Sequence, residues 1–417
     1  MRLMIFLVCL SFVNLQAQYL LTGPMLGHSD EKSAKIWCSL DQVGRVEVHI
    51  SEGPRLKNAR VLKFDNFEMG ALEIDGLKPS TQYTYQLVAG KYSKSPYFRF
   101  TTAPKQGTPS KLRFMFSSCS GRSGFDEDVS WLDIAKMDDL DLLFQLGDNH
   151  YADTTDPKVI TKRYINHRSL PSYRSVTART STYGIWDDHD FGPNNSDGQT
   201  PGKEKSLEIF KKHWANPSFG ESDNPGIYTT FHYGDVQFIL LDSRYHRTPN
   251  KSKVANDPDK KLLGDKQFAW LKRTLEDSQA KIKIVACGSE FQMFGSSDGF
   301  SGFKAEQKKV LDLFKASPGV ILISGDRHFT GAYHNRGETL EVTSGPLGSG
   351  NARPRMTKDM IFKETQGKMF SVFELDTTQN PPQVNLEVYR SGHGQIRKQS
   401  FTWDQINGKE AIEKLTK

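Results

Sequence analysis

The sequence predicts two domains of different class: an all-β sandwich at the N-terminus, then a larger α/β domain. Residues 19 to about 103 run as short period-two stretches between turn signals, whereas from residue 111 onward apolar strand-like stretches alternate with helical ones. The length of 417 residues fits this division, since roughly 150 residues make a domain. Charged residues at 25% and aromatics at 11% place the chain among folded globular proteins and exclude a disordered or fibrous one. Lys and Arg number 55 against 49 Asp and Glu, a net charge of +6 without a dense basic block. That balance suits an anionic substrate and carries no nucleic-acid-binding motif. Four cysteines in such a length exclude a disulfide scaffold, and no Cys-x-x-Cys zinc pattern occurs.

Taken in order, the chain opens with Arg2, an apolar run over residues 3–13 and then Asn14-Leu15-Gln16-Ala17. The run is too short to cross a bilayer, which needs about 20 residues, and fits the core of a signal peptide over 1–17. The expectation is an exported protein, periplasmic or secreted, that begins near Gln18 and has no transmembrane segment. Cys9 would leave with the leader. Cys38, Cys119 and Cys287 would remain, an odd set in an oxidising compartment. A pairing of Cys119 with Cys287 stays open, because both follow strands.

Residues 35–38, 45–50 and 97–101 alternate with period two. The stretch at 77–85, Leu-Lys-Pro-Ser-Thr-Gln-Tyr-Thr-Tyr, resembles the tyrosine-corner segment of a fibronectin type III domain, which implies a sandwich over 18–103. Trp37, Tyr83 and Tyr85 are expected in its core, and residues 102–109 read as a linker.

In the second region strands are expected at 112–116, 140–146, 183–186, 283–287 and 320–323. Helices are expected at 204–214, 266–275 and 304–315. Further strands at 339–343, 369–375, 384–389 and 399–403 read as a meander. Ligands of open α/β sheets bind beyond the carboxyl ends of strands. There the chain places Cys119, Asp148 with Tyr151, Asp188 with His189, and Asp326 with His328. Carboxylates gathered in one place raise each other's pKa, and a bound cation relieves the conflict. Carboxylate and imidazole suit Zn, Mn or Fe(II), oxygen-rich positions suit Ca, and a thiolate or phenolate suits Fe(III).

These strand ends resemble the alkaline phosphatase D (PhoD-like) family of metallophosphoesterases. The resemblance is carried by Ser118-Cys119, Gly147-Asp148-Asn149-His150-Tyr151, Trp186-Asp187-Asp188-His189-Asp190 with Asn194-Asn195, and Gly325-Asp326-Arg327-His328. Two further stretches, around Leu241-Asp242-Ser243-Arg244-Tyr245 and Leu263-Gly264-Asp265-Lys266-Gln267, extend it over roughly 19–400. It implies a four-layer αββα metallophosphoesterase domain over 104–417. The implied activity is hydrolysis of phosphate mono- or diesters by a metal-activated hydroxide, as a phosphoric ester hydrolase. The implied metals are Fe(III) and Ca, with Zn or Mn as alternatives.

By the same resemblance Cys119 and Tyr151 bind the ferric ion and Asp148 bridges the metals. Asp188, Asp326 and His328 complete the metal shell, with Asn195 a further candidate oxygen ligand. His189 is the catalytic group at the scissile phosphate or its leaving oxygen. Arg327, Arg244 and Arg353 are candidate phosphate-orienting groups, since the guanidinium fork matches phosphate. Two positions depart from the family. Asp190 stands where Glu is usual, and Ser289, Glu290 and Gln292 follow 283–287 where related enzymes place a metal-binding His. Glu290 is therefore only a candidate, and the number of metals stays open. Two other readings remain: a purple-acid-type two-metal phosphatase, and a non-catalytic sandwich-based binding protein. Cys119 in place of an Asp, and the absence of His-x-His at 326–328, argue against the first. Retention of the whole polar set argues against the second.

Overall fold

Period-two alternation in the N-terminal region produces six strands: β1 (Leu20–Ser29), β2 (Ser33–Glu52), β3 (Arg60–Asp75), β4 (Gln82–Ala89), β5 (Ser93–Lys94) and β6 (Phe98–Thr101). In this computed structural model the described residues are 18–121, 128–251, 254–291, 297–334, 339–357 and 360–407. The expected signal peptide over 1–17 with Cys9, and Gln292, lie outside them. The stretches at 35–38 and 45–50 are one strand, β2, rather than two. Its register against β3 slips between Ser39 and Gly44, and the chain stays extended through the slip. The first half of β2 pairs with β1 and the second half with β4. Val46, Val48 and Ile50 turn inward against Leu72, Ile74, Leu87 and Phe100. The Tyr83 hydroxyl accepts the Lys78 backbone N–H at 2.9 Å and ties the corner before β4.

Trp37 differs from expectation. It is fully buried, but in the core of the following domain. Its indole Nε1 donates to the Lys212 carbonyl at 2.7 Å, and the Arg168 guanidinium lies 4.2 Å from its ring. The Tyr85 hydroxyl likewise reaches across, to the Ala178 carbonyl at 2.6 Å.

The second region contains β7 (Lys111–Ser117), β8 (Leu142–Leu146), β9 (Ser181–Ile185), β10 (Thr229–Tyr233), β11 (Val236–Leu240), β12 (Ile282–Cys287), β13 (Val320–Ser324), β14 (Thr330–His334), β15 (Leu340–Thr343), β16 (Met360–Glu364), β17 (Met369–Asp376), β18 (Gln383–Arg390) and β19 (Gly394–Phe401). Between and after them come α1 (Asp128–Ala135), α2 (Pro157–Arg168), α3 (Pro171–Thr177), α4 (Asp188–Phe191), α5 (Lys203–His213), α6 (Asp265–Glu276), α7 (Lys304–Lys315) and α8 (Trp403–Ile406). The strands form two sheets, in the orders β19-β18-β17-β7-β8-β9 and β10-β11-β12-β13-β15-β14-β16. β7, β8 and β9 are parallel, as are β11, β12, β13 and β15. Strands such as Leu-Leu-Phe-Gln-Leu and Val-Ile-Leu-Ile-Ser are buried along their whole length, as parallel central strands require.

The two sheets meet through Phe114 and Phe144, whose rings lie 5.4 and 5.0 Å from that of Phe238. Alternate residues of the second sheet point the other way. Ile239, Val285 and Leu322 pack on Leu271 and Leu275 of α6 and on Val310 and Phe314 of α7. The meander is β17-β18-β19, antiparallel and joined to β7. The stretch at 339–343 belongs instead to the other sheet, parallel to β13. β19 stops at Phe401, because Thr402 caps a helical turn in which Trp403 is the first residue. Helices α2 and α3 were not anticipated, although each opens with Pro at its first turn.

Candidate metal centre

The carboxyl ends of β7, β8 and β9 and those of β12 and β13 point to one place. After β7, β8 and β13 the chain turns sharply into its polar loop. Cys119, Asp148, Asp326 and His328 have φ of 57°, 52°, 66° and 53°, in the left-handed region that side chains enter only under constraint. Gly147, just after β8, has φ of 90°, and a Cβ on it would lie 2.8 Å from the Cβ and backbone N of Asp187. The end of β8 therefore packs backbone-tight against the end of β9.

Three donor sets form within this space, each with ligand atoms within 4.8 Å of one another: Cys119, Asp148 and His328; Asp148, Asp188 and His189; and Asp187, Asp188 and Asp326. Tyr151 joins the first. Its hydroxyl is 3.3 Å from Asp148 Oδ2 and 3.3 Å from His328 Nε2, and Cys119 Sγ is 3.6 Å from the same carboxylate oxygen. Asp148 thus faces a thiol, a phenol and an imidazole on one side and carboxylates on the other. Asp187 was not anticipated as a member. The motif around it was recognised, but a run of two Asp does not show which carboxylate turns inward.

The surroundings fit cations. Asp148 Oδ1, Asp187 Oδ2 and Asp188 Oδ1 are buried and have no hydrogen-bond partner among the described residues. Burial, then Asp188, Asp187, Asp190 and Asp326, push the Asp148 carboxyl well above the usual carboxylate range. Burial, then Asp187, Glu290 and Asp188, do the same to Asp326. Burial raises the Cys119 thiol far above its ordinary value, and Asp148 adds to it. Burial followed by Cys119 and Asp148 raises the Tyr151 phenol. The crowding of buried carboxylates at Asp148 and Asp326 is relieved when a multivalent cation supplies positive charge between them. The thiol, phenol and imidazole suit a polarising transition metal, and the carboxylate set suits a hard, oxygen-preferring cation.

His189 stands at the rim, its Nδ1 hydrogen-bonded to Asp153 and its ring 4.2 Å from that of Tyr151. Asp153 was missed because it carries no motif. Its own φ of 53° turns it back toward His189. Asp190 is buried beneath, and accepts backbone N–H groups from Asn149 at 2.8 Å, Asp187 at 3.0 Å and His150 at 3.2 Å. Burial nevertheless moves its carboxyl up to about 8. Asp190 therefore braces the loops that carry Asp148 and Asp188.

Arg244 lies lower than a phosphate-orienting group would. It is fully buried, with Nε on Asp187 Oδ1 at 2.6 Å, Nη2 on Asp298 Oδ2 at 2.6 Å and Nη1 on the Ser196 carbonyl at 3.2 Å. Its guanidinium is engaged in orienting carboxylates, together with Arg247, which bonds Asp298 at 2.7 Å. Arg327 is half-buried, 3.7 Å from Asp326 and 3.8 Å from the buried Glu290. Asn195 is exposed and holds Asp188 Oδ2 through its backbone N–H at 2.7 Å. Arg353 is exposed, next to Ala352, whose N–H bonds the His328 carbonyl at 2.8 Å. Cys38, Cys119 and Cys287 are all free and buried. The Cys119–Cys287 pairing does not form: Cys119 follows β7 and Cys287 ends β12, in different sheets.

Comparison with known proteins gives a consistent picture. Residues 114–405 match the PhoD-like phosphatase family, and residues 17–104 match a domain of unknown function, DUF7800. The structure of PhoD superposes with a TM-score of 0.74 at 19% identity over 93% of both chains. The purple acid phosphatase PPD1 of yellow lupin (Lupinus luteus) seeds superposes with a TM-score of 0.71 at 14% identity, over 97% of this chain and 79% of that one. No curated protein matches the chain.

Proposed function

The chain belongs to the PhoD-like phosphatase family, and from that premise we propose that it is an exported phosphoesterase whose metals sit between Cys119 and Asp326. It is a metal-dependent phosphoric ester hydrolase. The observation that carries the finer reading is the split donor set around Asp148. Cys119, Tyr151, His328 and Asp148 would hold Fe(III), and Asp148, Asp187, Asp188 and Asp326 would hold Ca, with Zn or Mn the other ions these donors accept. When bound, such ions neutralise phosphoryl charge and make water a nucleophile near neutral pH.

The protein's own residues supply the rest. Asp153 holds Nδ1 of His189 and so leaves Nε2 to give a proton or hydrogen bond to the leaving oxygen. Arg327, partly exposed beside Asp326, orients a phosphoryl oxygen. Arg244 and Asp190 keep Asp187, Asp188 and the Asp148 loop in place. The two facing sheets with α6 and α7 outside one of them support a four-layer αββα domain over 104–417. The Tyr83 corner supports a fibronectin type III-like domain over 18–103. Export rests on the apolar leader at 3–13. Among the described residues no helix is long and apolar enough to cross a membrane.

The test is hydrolysis of an aryl phosphate monoester and a diaryl diester before and after chelation. Activity on at least one ester should vanish with the metals and return on adding Fe(III) and Ca. Full activity in exhaustively demetallated protein would reject the assignment.

A further inference from the structure

The loop at 344–351, between β15 and β16, makes contacts that the function above does not use. Its Leu347 N–H bonds the Ser118 carbonyl at 2.9 Å, and the Gly348 and Ser349 N–H groups both bond the Cys119 carbonyl at 3.0 Å. The Ser118 hydroxyl returns a bond to the Ser344 carbonyl at 2.9 Å. From the same loop the buried Ser349 hydroxyl donates to the Tyr151 hydroxyl oxygen at 2.9 Å. The Gly350 carbonyl accepts His328 Nδ1–H at 2.7 Å, which fixes the tautomer with Nε2 facing Tyr151. One loop thus touches Cys119, Tyr151 and His328, the thiol, phenol and imidazole of one donor set. Lys368 pins it from outside, its ammonium on the Gly348 carbonyl and on the Ser349 carbonyl, the latter at 2.7 Å.

We propose that Ser349 is a positioning residue for Tyr151, and that the 344–351 loop pinned by Lys368 sets how tightly the ion at Cys119, Tyr151 and His328 is held. This rests on the reading of Tyr151 as a ligand. A donated hydrogen bond fixes the direction in which the phenol oxygen presents its remaining lone pairs, and such outer partners are typically worth roughly 10–100-fold in metal affinity.

The experiment loads full-length protein with Fe(III) and follows the visible phenolate band and the loss of iron to a competing chelator. Native protein, Ser349→Ala, Tyr151→Phe and the double variant are compared. Ser349→Ala should shift the band and weaken iron retention about tenfold or more, yet add nothing in the Tyr151→Phe background. Lys368→Met should act in the same direction by less, and it carries the test if Ser349→Ala does not fold. A normal band and normal retention in folded Ser349→Ala overturns the proposal alone, as does an equal loss with and without Tyr151. A band unchanged by Tyr151→Phe overturns the ligand reading and this proposal with it.

Discussion

His189 and its neighbours separate what binds metal from what moves a proton. In His189→Asn, kcat should fall by roughly 10²–10⁴-fold with metal content unchanged, because the proposed contact is with the leaving oxygen. The loss should be larger for alkyl than for aryl esters, since a poor leaving group needs the proton more. Asp153→Asn should show the same leaving-group trend more weakly. Steady-state kinetics with elemental analysis decides this, and equal loss of metal and turnover would make His189 a ligand. At this scale the sequence was informative for polar side chains two or three residues past a strand, as Cys119, Asp148, Asp188 and Asp326 are. It did not show that Asp187, beside Asp188 at the end of β9, also turns inward, and it was silent on Asp153 and Ser349, which reach the centre through a turn and from a distant loop. Arg244 was misread for a related reason. A guanidinium in a motif looks like an anion ligand until the three Asp carboxylates around it are seen.

Elements hold the donors in place by close approach. The Gly147 turn admits no side chain, because the φ of 90° and the Asp187 backbone both exclude one. Gly147→Ala should therefore cost at least about 1 kcal/mol and should also lower metal retention, by pushing the end of β8 from that of β9. Urea denaturation paired with metal analysis reads both quantities, and a variant normal in each would show that the two strand ends are not coupled. The parallel strands were legible because burial on both faces demands continuous apolar runs. The true extent of β2 was not, since Gly44 reads as a break and only its pairing with β3 keeps the strand going. The destination of 339–343 was also hidden, because a short apolar run carries no information about which sheet receives it.

At the scale of the whole molecule the N-terminal strands keep a core of their own but pass Met25 and Trp37 into that of the α/β region. Trp37 sits over Arg168 with its indole bonded to the Lys212 carbonyl, and Thr22 and Lys35 add bonds to the Arg168 and Asn216 carbonyls at 3.0 and 3.2 Å. Trp37→Ala should cost about 3–5 kcal/mol, with the native protein unfolding in one transition by calorimetry. Separate transitions for the two domains in native protein would show the interface to be weak. His28 lies in the same interface, its Nδ1 3.1 Å from the Tyr183 hydroxyl. Burial lowers its pKa from 6.5 to about 4, against the opposing pull of Asp30 and with Lys35 assisting. The unfolded chain therefore binds a proton between about pH 6.5 and 4 that the folded one does not. Stability from this group is full above 6.5 and falls with pH through that window, by up to about 3 kcal/mol. His28→Gln should flatten the pH dependence of the denaturation midpoint there, and an unchanged slope would remove His28 as its source.

The sequence by itself determined that an all-β region precedes an α/β one, the polarity of the α/β strands and the residue types at their carboxyl ends. These are properties of neighbouring positions: period, turn chemistry and the step from apolar strand to polar loop. Only the tertiary structure decided that His328 groups with Cys119 and Tyr151 while Asp326 groups with Asp187 and Asp188, although the two residues are separated by Arg327 alone. It also decided that Arg244 serves carboxylates, that Cys119 and Cys287 stay apart, and that Trp37 belongs to the second domain's core. Each of these depends on which strand lies beside which, and that is fixed by side-chain packing between segments far apart in the chain.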